Sequence, residues 1–179
     1  MRSPNGMRMS CRSSTYRPHK ATLPLHRGAR IPERDVTDAE HYSKLERMYG
    51  AAPISRLYGA TIAIAESQAE VRFTIRPEFY HAAHAAHGSV YFRALDDAAF
   101  FAVNSRVREV LVLTVSFTVH FARPVTTGEL RATGRVLHGS GRLFLGEAEL
   151  LNGEGQLLGR GSGVFTRSAI VLEPSIGYV

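Results

Sequence analysis

The sequence predicts an α+β fold in which one long buried helix lies against an antiparallel sheet of about six strands. Two observations carry this expectation. Between Ser89 and about Asn104 the apolar positions Val90, Tyr91, Ala94, Leu95, Ala98, Ala99, Phe101 and Ala102 occupy most of the helical circumference, and a helix apolar nearly all round is a buried one. The segments around it are short, rich in Val, Ile, Thr and Phe, and separated by Gly-containing breaks, the pattern of antiparallel hairpins. One helix against one large sheet is an α+β layer architecture.

The elements follow in order. Asp35 to Tyr49 reads as a helix: Thr37 and Glu40 have capping-box spacing, Tyr42, Leu45 and Met48 form an apolar edge, and Gly50 ends it. Tyr58 to Ala65 reads as a first strand. Glu70 to Arg76 reads as a second, with Val71, Phe73 and Ile75 alternating against Arg72, Thr74 and Arg76. Ser67 and Gln68 make the turn between them, and Pro77 stops the sheet. After the buried helix come Val110 to Phe121, Leu130 to Leu137, Leu143 to Leu150 and Gln156 to Thr166, read as consecutive hairpins.

Charge sharpens the organisation. The formal net charge is +6, but residues 1–30 hold seven Arg and Lys and no acid, which leaves 15 bases against 16 acids over 31–179. The basic balance therefore belongs to the N-terminal segment and not to a folded nucleic-acid surface. Residues 1–33 are expected to be a disordered basic extension, 34–170 the folded domain, and 171–179 a C-terminal tail. The single cysteine, Cys11, excludes an intramolecular disulfide and a thiolate zinc site and suits a reducing compartment. No apolar run reaches the roughly 18 residues of a membrane span. A cytoplasmic protein is expected, with no membrane and no nucleic-acid partner.

Asp96 and Asp97 lie in the middle of the buried helix, where an unpaired carboxylate is costly. They sit about 100° apart around it, and the residues alone do not choose between them. His87 and Gly88 fall at its start, where free amides and the positive end of the helix dipole gather. A glycine there lets a carbonyl oxygen approach closely, as an oxyanion site requires. Gly88 is thus a candidate oxyanion donor, and His87 a support that orders the loop. Nine residues, about 13–14 Å of helix, separate His87 from Asp96, so the two do not readily meet within one chain.

The stretch His87-Gly-Ser-Val-Tyr-Phe-Arg-Ala-Leu-Asp96-Asp-Ala98 resembles the HGG-x6-D-x-A signature of the phenylacetate-degradation (PaaI-like) family of hotdog thioesterases. Thr114 to Pro124, followed by Gly128-Glu129, is similar to that family's next hallmark, and the element order matches over roughly residues 40–168. The resemblance implies a hotdog fold and an acyl-CoA thioesterase that releases a free acid and coenzyme A. It implies no cofactor, since coenzyme A is part of the substrate. It further implies Asp96 as general base or nucleophile, acting across a homodimer with its sites at the interface, or within a homotetramer. Thr114 would help orient the water. Two departures stand out: Ser89 replaces the second glycine, and His81 stands where many members carry Asn or Gln.

His81, His84 and His87 at i, i+3, i+6 suggest zinc only if they lie on a helix. No carboxylate accompanies them and Pro77 argues for a loop, so no metal is expected. The phosphates of coenzyme A call for Arg or Lys at the site mouth; Arg123, Arg142 and Arg167, at strand ends and a hairpin, are the candidates. Two other readings compete: a hotdog hydratase or dehydratase of enoyl or hydroxyacyl thioesters, and a non-catalytic acyl-CoA-binding regulator.

Overall fold

A computed structural model describes residues 37–179; the expected basic extension, residues 1–33, lies outside them. The chain begins with helix α1 (Asp38–Ala51), whose N-cap Thr37 accepts a hydrogen bond from the Glu40 amide at 3.3 Å. A short helix α2 (Pro53–Tyr58) follows, with proline at its start and Gly59 left-handed at its end. Tyr58 was expected to open a strand. The turn of helix takes that residue instead, because Pro53 and Gly59 supply start and stop signals on either side of it.

Strands β1 (Thr61–Ala65) and β2 (Gln68–Thr74) form the first hairpin, closed by Ser67 at φ 59°. Helix α3 (Gly88–Asn104) is the buried helix. The remaining strands are β3 (Val110–Phe121), β4 (Glu129–Ser140), β5 (Leu143–Asn152) and β6 (Leu157–Val171). The six make one antiparallel sheet in the order β1-β2-β4-β5-β6-β3. The expectation of consecutive hairpins holds for β4-β5 and β5-β6 only. β3 pairs with β6 at the far edge, because the chain crosses the sheet through residues 122–128 and enters β4 beside β2.

α3 lies across the sheet and contacts β2, β3, β4, β5 and β6. Its buried face is built from small residues, Ala94, Ala98, Ala99 and Ala102, with Leu95 and Val103 between them. The sheet answers with glycine: a Cβ on Gly134 would stand 2.2 Å from the Ala98 carbonyl. Helix and strand backbones therefore approach more closely than any side chain would allow.

The two sheet edges differ. β1 is covered by α1, and Glu46 Oε1 accepts the Ile64 amide at 2.8 Å. β3 has no neighbour beyond it among the described residues. Residues 171–179, expected as a tail, fold back on the domain: Leu172 and Tyr178 are buried, and the Tyr178 hydroxyl meets His41 Nδ1 at 2.7 Å. The buried His41 reaches the Asn104 carbonyl with its other nitrogen at 3.0 Å. It thereby ties α1, the end of α3 and the C-terminus together.

Candidate active site

The loop before α3 is fixed by backbone hydrogen bonds from His81 to Ala85, Ala86 to Val125 and His87 to Phe79. His84 adopts φ 58° within it. The three histidines therefore occupy a turn and not one face of a helix, and no group of three metal-ligating side chains converges among the described residues.

His87 is the N-cap of α3. Its Nδ1 accepts the Ser89 amide at 3.1 Å and lies 2.8 Å from the Ser89 hydroxyl. Ser89, where the resembled signature has a second glycine, thus joins the cap. Gly88 occupies the first helical position, where an amide has no intrahelical acceptor. His81 Nδ1 accepts the Ala83 amide at 3.0 Å, which puts the proton of a neutral ring on Nε2. His81, Gly88, Tyr91, Phe121 and Arg123 line one cavity of about 340 Å³. Phe121 covers Gly88 so closely that a Cβ there would meet its ring at 3.3 Å.

Asp96 lies two turns further along α3, facing β3. Its Oδ1 accepts a hydrogen bond from the Thr114 hydroxyl at 3.0 Å. Burial pushes its pKa up, and the Thr114 hydrogen bond offsets this only in part. Sequence register and geometry thus pair the two residues singled out for the attacking water. His81, Gly88 and Arg123 are brought together at one end of α3, and Asp96 with Thr114 at its middle.

Asp97 belongs to a different cluster. Arg93, one turn back, lies 3.0 Å from its Oδ2, and the Tyr49 hydroxyl donates to the same oxygen at 3.0 Å. Arg93 also reaches the Ser55 hydroxyl at 3.2 Å and stacks over the Tyr58 ring at 4.7 Å. The Asp97 pKa is pushed up to about 6 by burial, which outweighs the lowering by Arg93 and Tyr49; the nearby Asp96 raises it further. The i, i+4 spacing of Arg93 and Asp97 was visible in the sequence, but Tyr49 and Ser55 come from distant segments and carried no signal. The cluster borders a second cavity, of about 620 Å³.

Arg142 and Arg167 lie away from the first cavity. Arg167 is opposite Val112, at the end of β3 remote from Phe121, and Arg142 accepts its amide. The Arg167 guanidinium is engaged with Glu109 at 2.8 Å. Val112 and Phe121 are nine positions apart on β3, about 30 Å.

Comparison with known proteins agrees with this architecture. The model of the thioesterase superfamily matches residues 84–158, the histidine loop through the start of β6. The protein has the hotdog fold and is similar to the PaaI-like thioesterases. Among solved structures it resembles the PaaI protein from the phenylacetic acid degradation operon of Escherichia coli, with 21% identity, TM-score 0.69, and coverage of 75% of this chain and 97% of that one. It also resembles a variant of the phenylacetic acid degradation protein PaaI from Thermus thermophilus, with 23% identity, TM-score 0.60, and coverage of 65% and 100%. A conserved protein of Pseudomonas aeruginosa aligns with 26% identity, TM-score 0.63, and coverage of 68% and 98%. No curated protein sequence matches the chain.

Proposed function

We propose that this protein hydrolyses acyl-CoA thioesters to a free acid and coenzyme A, in a site shared between two copies of the chain. The observation that carries the reading is the Asp96–Thr114 hydrogen bond at 3.0 Å, with the carboxylate half-buried on the motif helix and its basicity raised by burial. Asp96 draws the proton from a water that Thr114 helps to hold. The water oxygen attacks the thioester carbonyl, and negative charge gathers on the carbonyl oxygen. The amide of Gly88 in the partner subunit, at a helix start, stabilises that oxygen. His81 Nε2 supplies a second donor where relatives use an amide side chain. The tetrahedral intermediate collapses, the C–S bond breaks, and Asp96 returns its proton to the leaving thiolate.

The case for a shared site is geometric. Within one chain Gly88 and Asp96 are eight helical residues apart, about 12 Å. The β3 edge is twelve residues long and exposes Leu113 (45%) and Val115 (60%), a surface suited to pairing with another strand. Antiparallel pairing of two β3 strands about a two-fold axis between Phe117 and Thr118 would set Phe121 of one copy opposite Thr114 of the other, and so bring the Gly88 cavity of one copy towards Asp96 of its partner. Arg123 at the mouth of that cavity is placed for the phosphates of coenzyme A.

A panel of acyl-CoAs assayed with a thiol reagent tests the reading, since free thiol appears only on hydrolysis. Hydration of an enoyl thioester leaves the C–S bond intact, and a regulator binds without turnover. Asp96→Asn should lower kcat by about 10²–10⁴-fold, the usual worth of a general base, while acyl-CoA binding persists. Unchanged turnover in that variant would sink the assignment.

A further inference from the structure

Phe121 ends β3 on the side of the sheet that faces α3, and no step of the proposed reaction involves it. Its partner on β6 is Gly159, so no side chain stands beside it on that strand. Its ring packs edge-to-face on Tyr91, with centroids 5.5 Å apart, and rests against Gly88. Tyr91 is buried and donates its hydroxyl hydrogen to the Arg123 carbonyl at 2.9 Å, so the support beneath the ring is itself fixed. Phe117 and Val119, the helix-facing residues before it, are half-buried, whereas Phe121 is 59% exposed. The ring is thus held from one side, beside the free amide of the motif helix, and open on the other.

The β3 pairing described above brings a second surface to that open side. Residues directly opposite in an antiparallel pair share one face of the sheet. The register shift between Thr114 and Ser116 turns Thr114 to the helix side, where its hydroxyl meets Asp96 and where Phe121 also points. Set opposite each other, the two would have Cβ atoms about 4.5–5.5 Å apart. We propose that Phe121 is a positioning residue acting across the dimer: its ring walls the reaction centre between Gly88 of its own copy and the partner subunit's Asp96 and Thr114. The inference rests on the hydrolase reading and its β3 pairing, and adds the residue that joins the two halves of the site. The ring makes no bond to the reacting atoms. It keeps bulk water from the Gly88 amide, where a low local dielectric strengthens the hydrogen bond to the forming oxyanion. It also leaves one approach to the carbonyl for the water held at Asp96 and Thr114, so the attacking oxygen arrives in one geometry. Each subunit then supplies a base to one site, and an oxyanion amide with its wall to the other.

The test uses the full-length protein and the acyl-CoA that it turns over fastest. Phe121→Ala should lower kcat by about tenfold to a hundredfold, the cost of loosened positioning, with KM little changed. Phe121→Met, apolar and of similar reach, should recover most of the loss. The decisive measurement mixes subunits of Phe121→Ala with subunits of Asp96→Asn and lets them reassemble. In a mixed dimer one site takes Asp96 from the first variant and Phe121 from the second, and is native; the other site carries both changes. Equal amounts should regain about a quarter of native turnover, since half of the dimers are mixed and each then holds one native site. If Phe121 instead serves Asp96 of its own chain, mixed dimers hold no native site, turnover stays near that of the two variants measured alone, and the proposal is overturned. Native turnover in Phe121→Ala dimers overturns it as well. Sedimentation checks that each variant pairs; Phe121→Leu, apolar yet too short to reach Gly88, takes the place of Phe121→Ala in the mixture if the latter does not assemble. Native turnover in Asp96→Asn fails the hydrolase assignment and this inference with it. An inactive Asp96→Asn that the Phe121 variant does not rescue leaves that assignment standing and removes Phe121 from the partner's site.

Discussion

Two adjacent carboxylates on one helix are put to different uses by what surrounds them. Asp96 has one hydroxyl partner, Thr114, among the described residues and a raised pKa, and so keeps lone pairs for a proton. Asp97 has a guanidinium and a phenol on one oxygen and only 21% of its side chain exposed. Its folded pKa of about 6 stands above its ordinary 3.8. The folded protein therefore binds a proton that the unfolded chain releases between those values. The contribution of this group to stability is full below 3.8 and is lost as pH rises through 6. Asp97→Asn cannot titrate, so its melting temperature should gain on that of the native protein as pH climbs from about 4 to 7. Parallel melting curves across that range would place the raised pKa elsewhere. His81 makes a second residue-scale case. With Nδ1 occupied by the Ala83 amide, its Nε2 proton can do what an amide side chain does. His81→Asn should keep kcat within about tenfold, whereas His81→Ala should lose about 10²-fold, the cost of one oxyanion donor.

Among the elements, the contact of α3 with β4 is the tightest point of the fold. Gly134 lets the Ala98 backbone rest on the strand, and this seating fixes how deeply Asp96 and Asp97 sit. Gly134→Ala should destabilise the protein by about 1–3 kcal/mol or more in urea denaturation, as overpacking does. It should also lower kcat by moving Asp96 relative to Thr114. The N-terminal turn of α3 is held differently, by the His87–Ser89 cap. In the proposed reaction this cap makes His87 a positioning residue for the Gly88 amide. Further round, Gly161 and Gly163 on β6 leave room for the Phe117 ring of β3.

For the molecule as a whole, asymmetry between the sheet edges is the feature with consequences. One edge is capped by α1 and Glu46; the other is the outer side of the twelve-residue β3, which has no strand beyond it among the described residues and exposes Leu113 and Val115. Charge on an edge strand discourages pairing. Val115→Lys should therefore shift sedimentation from dimer to monomer, and turnover should fall in step with the dimer fraction. A monomer with full activity would contradict the shared site.

The sequence by itself determined the class of fold, the buried helix, the extent of β3 and the motif residues His87, Gly88 and Asp96. These follow from local periodicity and from spacing along one element. Thr114 as the partner of Asp96 was legible only through family resemblance, since the two lie 18 residues apart on different elements. Tertiary structure alone decided that β3 pairs with β6, that Arg123 and not Arg167 shares a cavity with Gly88, and that Asp97 is engaged by Arg93 and Tyr49. It also decided that the last nine residues pack on the domain, with Leu172 and Tyr178 buried and Ile176 at the edge of an apolar cavity, instead of trailing from it. The reason is common to all four. Each depends on which distant segments meet when the sheet wraps the helix, and hydrophobic periodicity says which face of an element is buried but not what it is buried against.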